Sequence, residues 1–583
     1  VLFRSETNEN TLNTVIKIDQ DLDFITKGLK VNAFVNFKTW SSSSFNRSIA
    51  PYYYRVKSGS YDETDLANTD YELELLNSDG RDYISQSAIG KSSDQTFELQ
   101  FNLNYARQFG LHNVGAMLLY KQREYRSDVL PNRNQGLSGR LTYDYGQRYL
   151  IEFNFGYNGT ERLAKEDRFG FFPAVSLGWV ISNEAFFEPM KNVVDNLKIR
   201  GSYGLVGSDD LATAGGSYYL YIDKITNNDL SYLKWTSGQN MDYQLGGPQM
   251  AYYAMSGLGW EKVKKLDIGV DFTLFRNWTF TFDYFYDKRY DIFMNREAWP
   301  QSLAYHIAKP WSNIGKMDNK GVEFSINYAN NFSKDLSVSL QANFTYNKNK
   351  MVYVDEPEYP TIWKSETGKP YSRITGYIAE GLFKSQEEID NSPAQNLGST
   401  PKVGDIKYRD LNGDGIIDSD DQTMISKYGS TPRLQYGFGG TLNYKKFDLG
   451  IFFSGSALRS IMTNGIDPFQ EGIAVGNRNV LKYIADNYWS EEKQNWDATY
   501  PRLGLLATDV ANNTVNSSYW LRNGSFLRLK NVEIGYKIPY GRIFVSAANL
   551  FTFSPFDLWD PELSSWNSYP MQKTVNVGIQ LQF

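Results

Sequence analysis

The sequence predicts an all-β protein, a transmembrane antiparallel β-barrel whose strands alternate between apolar and polar residues. Three observations predict this class. Apolar residues recur at every second position over stretches of roughly 10–14 residues, the length of a tilted membrane strand. The connections between these stretches are alternately short and long. The longest apolar run, Phe171–Ile181, falls well short of the about 20 residues that a membrane-spanning helix needs.

Strict alternation marks the individual strands. In the closing stretch, polar residues or glycine separate Val575, Val577, Ile579, Leu581 and Phe583. Similar patterns occupy 97–105, 151–157, 278–286 and 336–346, and about 17 such stretches fit the template. Because successive side chains of a strand point to opposite faces, one face should contact an apolar medium and the other water.

Connection lengths predict how the strands are oriented. Turns of a few residues alternate with long connections, which lie roughly at 42–94, 126–134, 160–169, 208–260, 291–315, 351–432, 459–524 and 552–572. Short periplasmic turns and long outer loops are typical of bacterial outer-membrane barrels. The final strand follows a long loop, so it should run inward and place Phe583 in the periplasm. The connection 183–195 should be periplasmic yet is longer, and we expect a short helix there.

The first strand, near residues 8–22, should also run inward. If both termini of an even-stranded barrel are periplasmic, an odd number of strands must precede it. About 17 visible strands and about five missing ones make about 22, the number in plugged outer-membrane transporters. Residues Val1–Ser5 also match the translation of a common sequencing adapter, which predicts an incomplete reading frame. The alternative class is a soluble all-β propeller or sandwich array, but blade-length repeats are absent.

Composition argues against several functional classes. The 583 residues include no Cys and only two His, His112 and His306, which excludes thiol chemistry and leaves little room for histidine-based catalysis or zinc. A net charge of -6 argues against a nucleic-acid binder. The sequence contains no nucleophile elbow, phosphate loop or histidine metal motif, so it predicts no enzyme.

The sharpest local motif lies at 410–421. Its side chains match positions one, three, five, nine and twelve of an EF-hand calcium loop, with the Ile416 carbonyl at position seven: Asp410, Asn412, Asp414, Asp418 and Asp421. Position twelve is Asp rather than the longer Glu. We expect a structural Ca²⁺ that braces the extracellular loop region 351–432. The alternative is an Asx-rich turn without an ion.

Aromatic residues cluster in the predicted outer loops, where flat rings can stack on the apolar faces of sugars. The candidates for substrate contact are Tyr52, Tyr53, Tyr54, Tyr218, Tyr219, Tyr221, Tyr252, Tyr253, Trp299, Tyr305 and Trp311. The alternative for each is an interfacial aromatic girdle or loop packing. Phe583 is the candidate signal for the barrel-assembly machinery, and it also fits an ordinary lipid-facing last strand.

Six segments between about 136 and 583 resemble, in order, segments of one known family. They are FFPAVSLGW at 171–179, WEKVKKLDIGVD at 260–271, GKMDNKGVE at 315–323, YRDLNGDG at 408–415, YWLRNGSFLRLKN at 519–531 and YP before the closing strand. Together they resemble the SusC-like (RagA-like) TonB-linked outer-membrane proteins of the Bacteroidota. One departure is Lys573, where that family usually has Arg.

The resemblance implies a C-terminal barrel portion over 1–583 and an upstream plug and TonB box. It also implies a SusD-like lipoprotein partner, lipid contact in the outer membrane of a Gram-negative bacterium, and TonB-driven import of glycans or other bulky oligomers. Whether the cargo is a glycan, a peptide or another oligomer stays open. The alternative function is a passive porin or an adhesin-type barrel.

Overall fold

The computed structural model describes residues 2–57, 70–128, 130–210, 219–252, 254–299, 310–466, 480–563 and 568–582. Most of these residues lie in antiparallel strands. The strands of eight or more residues are β1 (Leu2–Asp21), β2 (Leu29–Ser48), β3 (Gly90–Phe109), β4 (His112–Arg126), β5 (Asn132–Tyr145), β6 (Tyr149–Thr160), β7 (Phe169–Val180), β8 (Val194–Ser208), β9 (Lys224–Ser237), β10 (Tyr243–Tyr252), β11 (Glu261–Leu274), β12 (Trp278–Asn295), β13 (Trp311–Ser333), β14 (Leu336–Tyr353), β15 (Leu434–Tyr444), β16 (Phe447–Ala457), β17 (Phe526–Ile538), β18 (Gly541–Phe553) and β19 (Thr574–Leu581).

The remaining elements are short and lie in the connections. Short strands span Tyr54–Val56, Leu73–Leu75, Ser85–Gln86, Ile374–Gly376, Ala379–Leu382, Ala394–Gln395, Ile406–Tyr408, Ile416–Ile417, Thr423–Ser426, Ser460–Met462 and Leu521–Asn523. The α-helices are α1 (Gln386–Asp390), α2 (Lys482–Asn487) and α3 (Ala507–Thr514), and 3₁₀ helices span Ile181–Asn183, Ala185–Met190, Ile362–Lys364 and Ser419–Asp421. Among the described residues, no helix is both long and apolar enough to cross a bilayer.

The strands confirm the prediction of an all-β, antiparallel architecture. When the separate hairpin β9–β10 is left out, seventeen strands of this length lie in the described part of the chain, the number that alternation predicts. The predicted stretches 278–286 and 336–346 fall inside β12 and β14. The long connection after β7 contains two 3₁₀ helices, as expected from its length.

Two compact units divide the chain. The first comprises Val1–Phe109, Val114–Leu141 and Asn154–Phe171, and the second comprises Gly110–Asn113, Thr142–Phe153 and Phe172–Phe583. In the first unit, β2 pairs with β1 on one side and with β3 on the other. The register places Ile16 opposite Val35, and Val35 opposite Leu99, so apolar residues of the three strands share one face.

These three strands are each 20 residues long but are apolar over only part of their length. On β1 the apolar alternation begins at Leu12, and on β3 it begins at Phe97. On β2 it ends at Phe37. That part is close to the roughly 9–11 residues that a tilted membrane strand needs. Beyond it, the serines 41–44 of β2 pair with residues 90–93 of β3 in the same ladder.

In the second unit, eleven strands of the described part form one antiparallel ladder in the order β7–β8–β11–β12–β13–β14–β15–β16–β17–β18–β19. The register aligns apolar residues across it. Phe282 lies between Val270 and Phe324, and Val545 lies between Ile534 and Val577. The alternation of single strands therefore becomes one continuous apolar face, backed by a polar face.

Candidate functional site

The connections β14–β15 and β16–β17 of the second unit fold together, in their described residues, into a compact body, here called the outer-loop layer (residues 354–433, 458–466 and 480–525). Its centre is an apolar cluster formed by residues from both connections: Tyr377, Leu382, Ile406, Tyr408, Ile417, Ile466, Ile484, Trp489, Tyr500 and Trp520. Trp520 is completely buried, and its indole Nε1–H donates to the Asn513 carbonyl at 2.6 Å. The layer therefore has its own hydrophobic core, like that of a soluble domain.

A buried ion pair links the two connections within this layer. The Asp405 carboxylate is fully buried and lies 2.6 Å from Arg502 Nε. It also accepts hydrogen bonds from Asn513 Nδ2 at 2.7 Å and from the Lys402 backbone N–H at 2.8 Å. Burial raises the pKa of the Asp405 carboxyl, against the opposing effects of Arg502 and the two hydrogen bonds. A charge taken out of water in this way needs all of these partners.

A second buried network involves three amide and phenol side chains. Gln395 donates to Asn512 Oδ1 at 2.7 Å and accepts from the Tyr408 backbone N–H at 2.8 Å. The Tyr408 hydroxyl donates to the Asn512 carbonyl at 2.9 Å. Sequence reasoning missed both networks. One signal was available, because two consecutive Asn residues within a helix are unfavourable unless their side chains find hydrogen-bond partners.

The predicted calcium loop, 410–421, lies on this layer after the short strand Ile406–Tyr408, and it includes the short strand Ile416–Ile417 and the 3₁₀ helix Ser419–Asp421. Both Asp410 oxygens accept backbone hydrogen bonds, from Gly413 N at 2.6 Å and Gly415 N at 2.9 Å. Asp414 Oδ1 accepts from Ile416 N at 2.9 Å. Among the described residues, no three acidic or histidine side chains converge closely enough to hold a metal ion.

Asp421, at position twelve of the loop, binds backbone groups of the loop itself. Asp421 is completely buried and accepts hydrogen bonds from Leu411 N at 2.7 Å and Asp418 N at 3.0 Å. Asn412 Nδ2 donates to Asp414 Oδ2 at 2.9 Å. The side-chain oxygens of the loop thus accept local hydrogen bonds, as in an Asx-rich turn. Calcium binding stays a prediction.

The aromatic candidates fall into separate groups. In the first unit, Tyr52, Tyr53 and Tyr54 are exposed to solvent. In the second unit, Tyr219 and Tyr221 pack edge to face with ring centroids 6.0 Å apart, and Trp299 is exposed. Tyr252 lies 5.9 Å from the Lys224 ammonium. The remaining candidates Tyr218, Tyr253 and Tyr305, and also Phe583, lie outside the described residues.

Trp311 has a packing role. Its ring stacks on that of Phe293 at 4.9 Å with an interplanar angle of 9°, and its backbone N–H lies 3.4 Å from the Met255 sulfur. Met255 N donates to the Leu220 carbonyl at 2.9 Å, so the segment that carries Tyr219 and Tyr221 joins the same small cluster. The structure therefore brings Trp311 close to that pair, through buried neighbours.

The polar face of the second unit carries clustered charges. Arg200 on β8 contacts three carboxylates, namely Asp267 at 3.3 Å, Asp271 at 3.0 Å and Asp283 at 2.7 Å. Arg542 on β18 pairs with Asp448 and lies 2.6 Å from Glu533. Charged groups in a spanning strand are tolerated on the face turned away from lipid.

Known proteins resemble this chain over most of its length. A family model described as TonB dependent receptor-like, beta-barrel matches residues 3–550. TonB-dependent receptor P3 of Formosa agariphila is 28% identical over 464 residues, 76% of this chain and 43% of that protein. TonB-dependent receptor SusC of Bacteroides thetaiotaomicron is 28% identical over 490 residues, 79% of this chain and 45% of that protein.

A likeness in fold extends further. A chain of the structure titled "Structure of the RagAB peptide transporter" superposes with a TM-score of 0.71 at 19% identity, covering 99% of this chain and 62% of that chain. At this identity the likeness shows the fold alone. The chain spans about half the length of the curated relatives it matches.

Proposed function

Because this chain belongs to the TonB-dependent receptor-like β-barrel family and is SusC/RagA-like, we propose that it forms barrel wall and outer loops of an outer-membrane importer. The continuous apolar face over eleven strands of the second unit carries this proposal. In water, so large an exposed apolar surface would promote aggregation. In a bilayer, the same surface contacts lipid while the ladder satisfies the backbone hydrogen bonds.

We propose active, TonB-dependent uptake of bulky oligomers rather than passive diffusion or adhesion. The test uses the full-length receptor gene in a host strain that lacks its own receptor, with fluorescent oligosaccharides and oligopeptides as probes. Uptake should require the receptor and should stop when TonB is deleted or a protonophore is added. Uptake that persists without TonB would instead support a passive porin, and binding without uptake would support an adhesin.

The cargo class follows from the same experiment. A glycan importer should take up the oligosaccharide, whereas a peptide importer should take up the oligopeptide. Support for ring stacking on cargo comes from the exposed Tyr53 and Tyr54. The double variant Tyr53→Ala/Tyr54→Ala should lower the apparent affinity for the preferred probe about tenfold. Tyr569→Ala, which removes another exposed tyrosine, is the control.

A SusD-like lipoprotein is the proposed partner of the extracellular loop region 351–432. Support comes from exposed apolar side chains on the outer-loop layer, since Ile362 is 85% exposed and Tyr371 is also exposed. A tagged full-length receptor should co-purify with a surface lipoprotein from outer membranes. Ile362→Ser/Tyr371→Ser should weaken that co-purification, whereas the matched pair Leu505→Ser/Leu506→Ser tests whether any exposed apolar pair of the layer has this effect.

Calcium is the proposed structural ion of the 410–421 loop. Support comes from oxygen donors at the required positions and from Gly415, whose φ of 85° permits the sharp turn. Isothermal titration of the intact protein should give a Kd on the order of 10⁻⁴–10⁻³ M, the range of extracellular calcium modules. Asp410→Asn should abolish the heat, and Asp420→Asn, which lies outside the ligand positions, should retain it. No heat with the unmodified protein would discard the ion.

A further inference from the structure

A groove of about 590 Å³ runs along the apolar face of the second unit, across β12 to β16. Apolar side chains and short residues line it, including Trp278, Ile326, Leu340, Ala342, Gly440 and Phe453. The depression exists because Ala342 and Gly440 occupy positions where neighbouring strands carry large side chains. The stacked rings of Phe438 and Phe453, 5.2 Å apart, form one wall.

Gly440 keeps the groove open. A Cβ atom at this position would lie 2.4 Å from the Ser339 carbonyl oxygen and 2.7 Å from Leu340 Cδ2. Any side chain here would therefore displace Leu340 or the neighbouring backbone. The groove therefore depends on glycine at position 440.

Three lysines lie on the two turns beside one end of the groove. Lys334 lies between β13 and β14, and Lys445 and Lys446 lie between β15 and β16. Lys445 N donates to the Asp335 carbonyl at 2.7 Å, so the turns are neighbours. All three side chains are exposed, and in the described part of the chain no carboxylate pairs with them. The one acidic residue of these turns is Asp335.

The spacing of the two features matches a phospholipid. Val338 at the near end of the groove is four residues from Lys334, and Leu442 is three residues from Lys445. At about 3.3 Å per strand residue, the lysines lie roughly 10–13 Å from the groove's apolar lining. An acyl chain and a phosphate group in one molecule span such a distance.

We propose that this groove and the lysines 334, 445 and 446 bind an anionic phospholipid of the inner leaflet. The acyl chain lies in the groove, and the phosphate contacts the ammonium groups. The leaflet follows from the orientation in which short turns face the periplasm, which rests on the proposed membrane function. Basic residues at the membrane surface attract anionic lipids electrostatically.

The test measures lipid selectivity of the full-length receptor reconstituted in phosphatidylcholine bilayers. Spin-labelled phosphatidylglycerol and spin-labelled phosphatidylcholine report the motionally restricted fraction. The unmodified receptor should prefer phosphatidylglycerol roughly tenfold at low salt, and salt should reduce the preference. Lys445→Gln/Lys446→Gln should lose most of it. Lys27→Gln/Lys191→Gln, which removes two lysines from two other connections that are predicted to be periplasmic, should keep it.

A second variant tests the groove without changing charge. Ala342→Phe fills it and should lower the restricted fraction of both lipids. Val575→Phe, on the same apolar face but outside the groove, is the matched control. Absence of a preference in the unmodified receptor, or a preference unchanged in Lys445→Gln/Lys446→Gln, would overturn the lipid site. Because the measurement follows lipid rather than cargo, its failure leaves the import proposal intact, and loss of uptake alone leaves the lipid site intact.

Discussion

The long strands of the second unit and its outer-loop layer place their large apolar side chains in opposite environments. On β19, Val577 is 77% exposed, and its neighbours across the ladder share that face. In the outer-loop layer, Trp520 and Ile406 are 0% exposed. The strands therefore depend on an external apolar medium and on backbone pairing, whereas the layer depends on internal packing. Different substitutions should therefore destabilise the two regions.

Removal of a core side chain should separate the two regions most strongly. Trp520→Ala deletes a fully buried ring and its 2.6 Å hydrogen bond, and such deletions cost about 3–5 kcal/mol. We expect protease to cleave the layer in intact cells while the strands stay protected. The control is Trp235→Ala, since that ring is 71% exposed. Equal protease sensitivity of the two variants would contradict an independent core.

Loss of one partner of the buried ion pair should have the next largest effect. Arg502→Met leaves the Asp405 carboxylate buried without its cation, which costs roughly 3 kcal/mol. Thermal unfolding of the layer in the purified full-length receptor measures it. In the first unit, Arg55→Met breaks the exposed pair with Glu74 and should leave thermal stability almost unchanged, because water screens that pair. A similar loss in both variants would argue that burial is unimportant here.

A charge on the apolar face should damage the strands and spare the layer. Val577→Lys places an ammonium on the lipid side of β19 at a cost of about 2 kcal/mol. Asn576→Lys places the same charge on the opposite face and should be nearly neutral. The yield of correctly assembled receptor in outer membranes distinguishes them. If both variants assembled equally well, the apolar face would not be lipid-exposed.

Alkaline titration should give the smallest difference between the two regions. Burial, and then the neighbouring Tyr483, raise the pKa of the Tyr500 phenol to about 12, while Arg522 opposes the rise. Because this folded-state pKa exceeds the unfolded value of about 10, the stability contributed by the neutral Tyr500 phenol is fully present below pH ~10 and is lost as the pH rises to about 12. The tyrosinate absorbance of the wild type minus that of Tyr500→Phe should therefore appear near pH 12. A step near pH 10 would mean that the phenol is solvated.

The long strands and the outer-loop layer also differ in how far the sequence predicts them. Alternation is a local signal, so stretches such as 278–286 and 336–346 identify β12 and β14 without knowledge of their partners. The core of the outer-loop layer brings together residues such as Ile406 and Trp520, which lie far apart in the chain and follow no period. The Asp405–Arg502 pair could not be predicted either, because the two residues lie far apart in the chain and nothing near either one indicates the other. The calcium loop and the aromatic contacts with cargo stay predictions.

If the proposed membrane function holds, the long strands of the first unit should mark the depth of the bilayer. Along β2 the alternation ends near Phe37 and a run of serines begins at residue 41, although the hydrogen-bonded ladder with β3 continues. The membrane–water interface should therefore cross β2 between Phe37 and residue 41. The part of the strand beyond residue 41 should be surrounded by water. Single nitroxide labels at successive positions of β2 would locate this interface through their accessibility to a water-soluble relaxation agent.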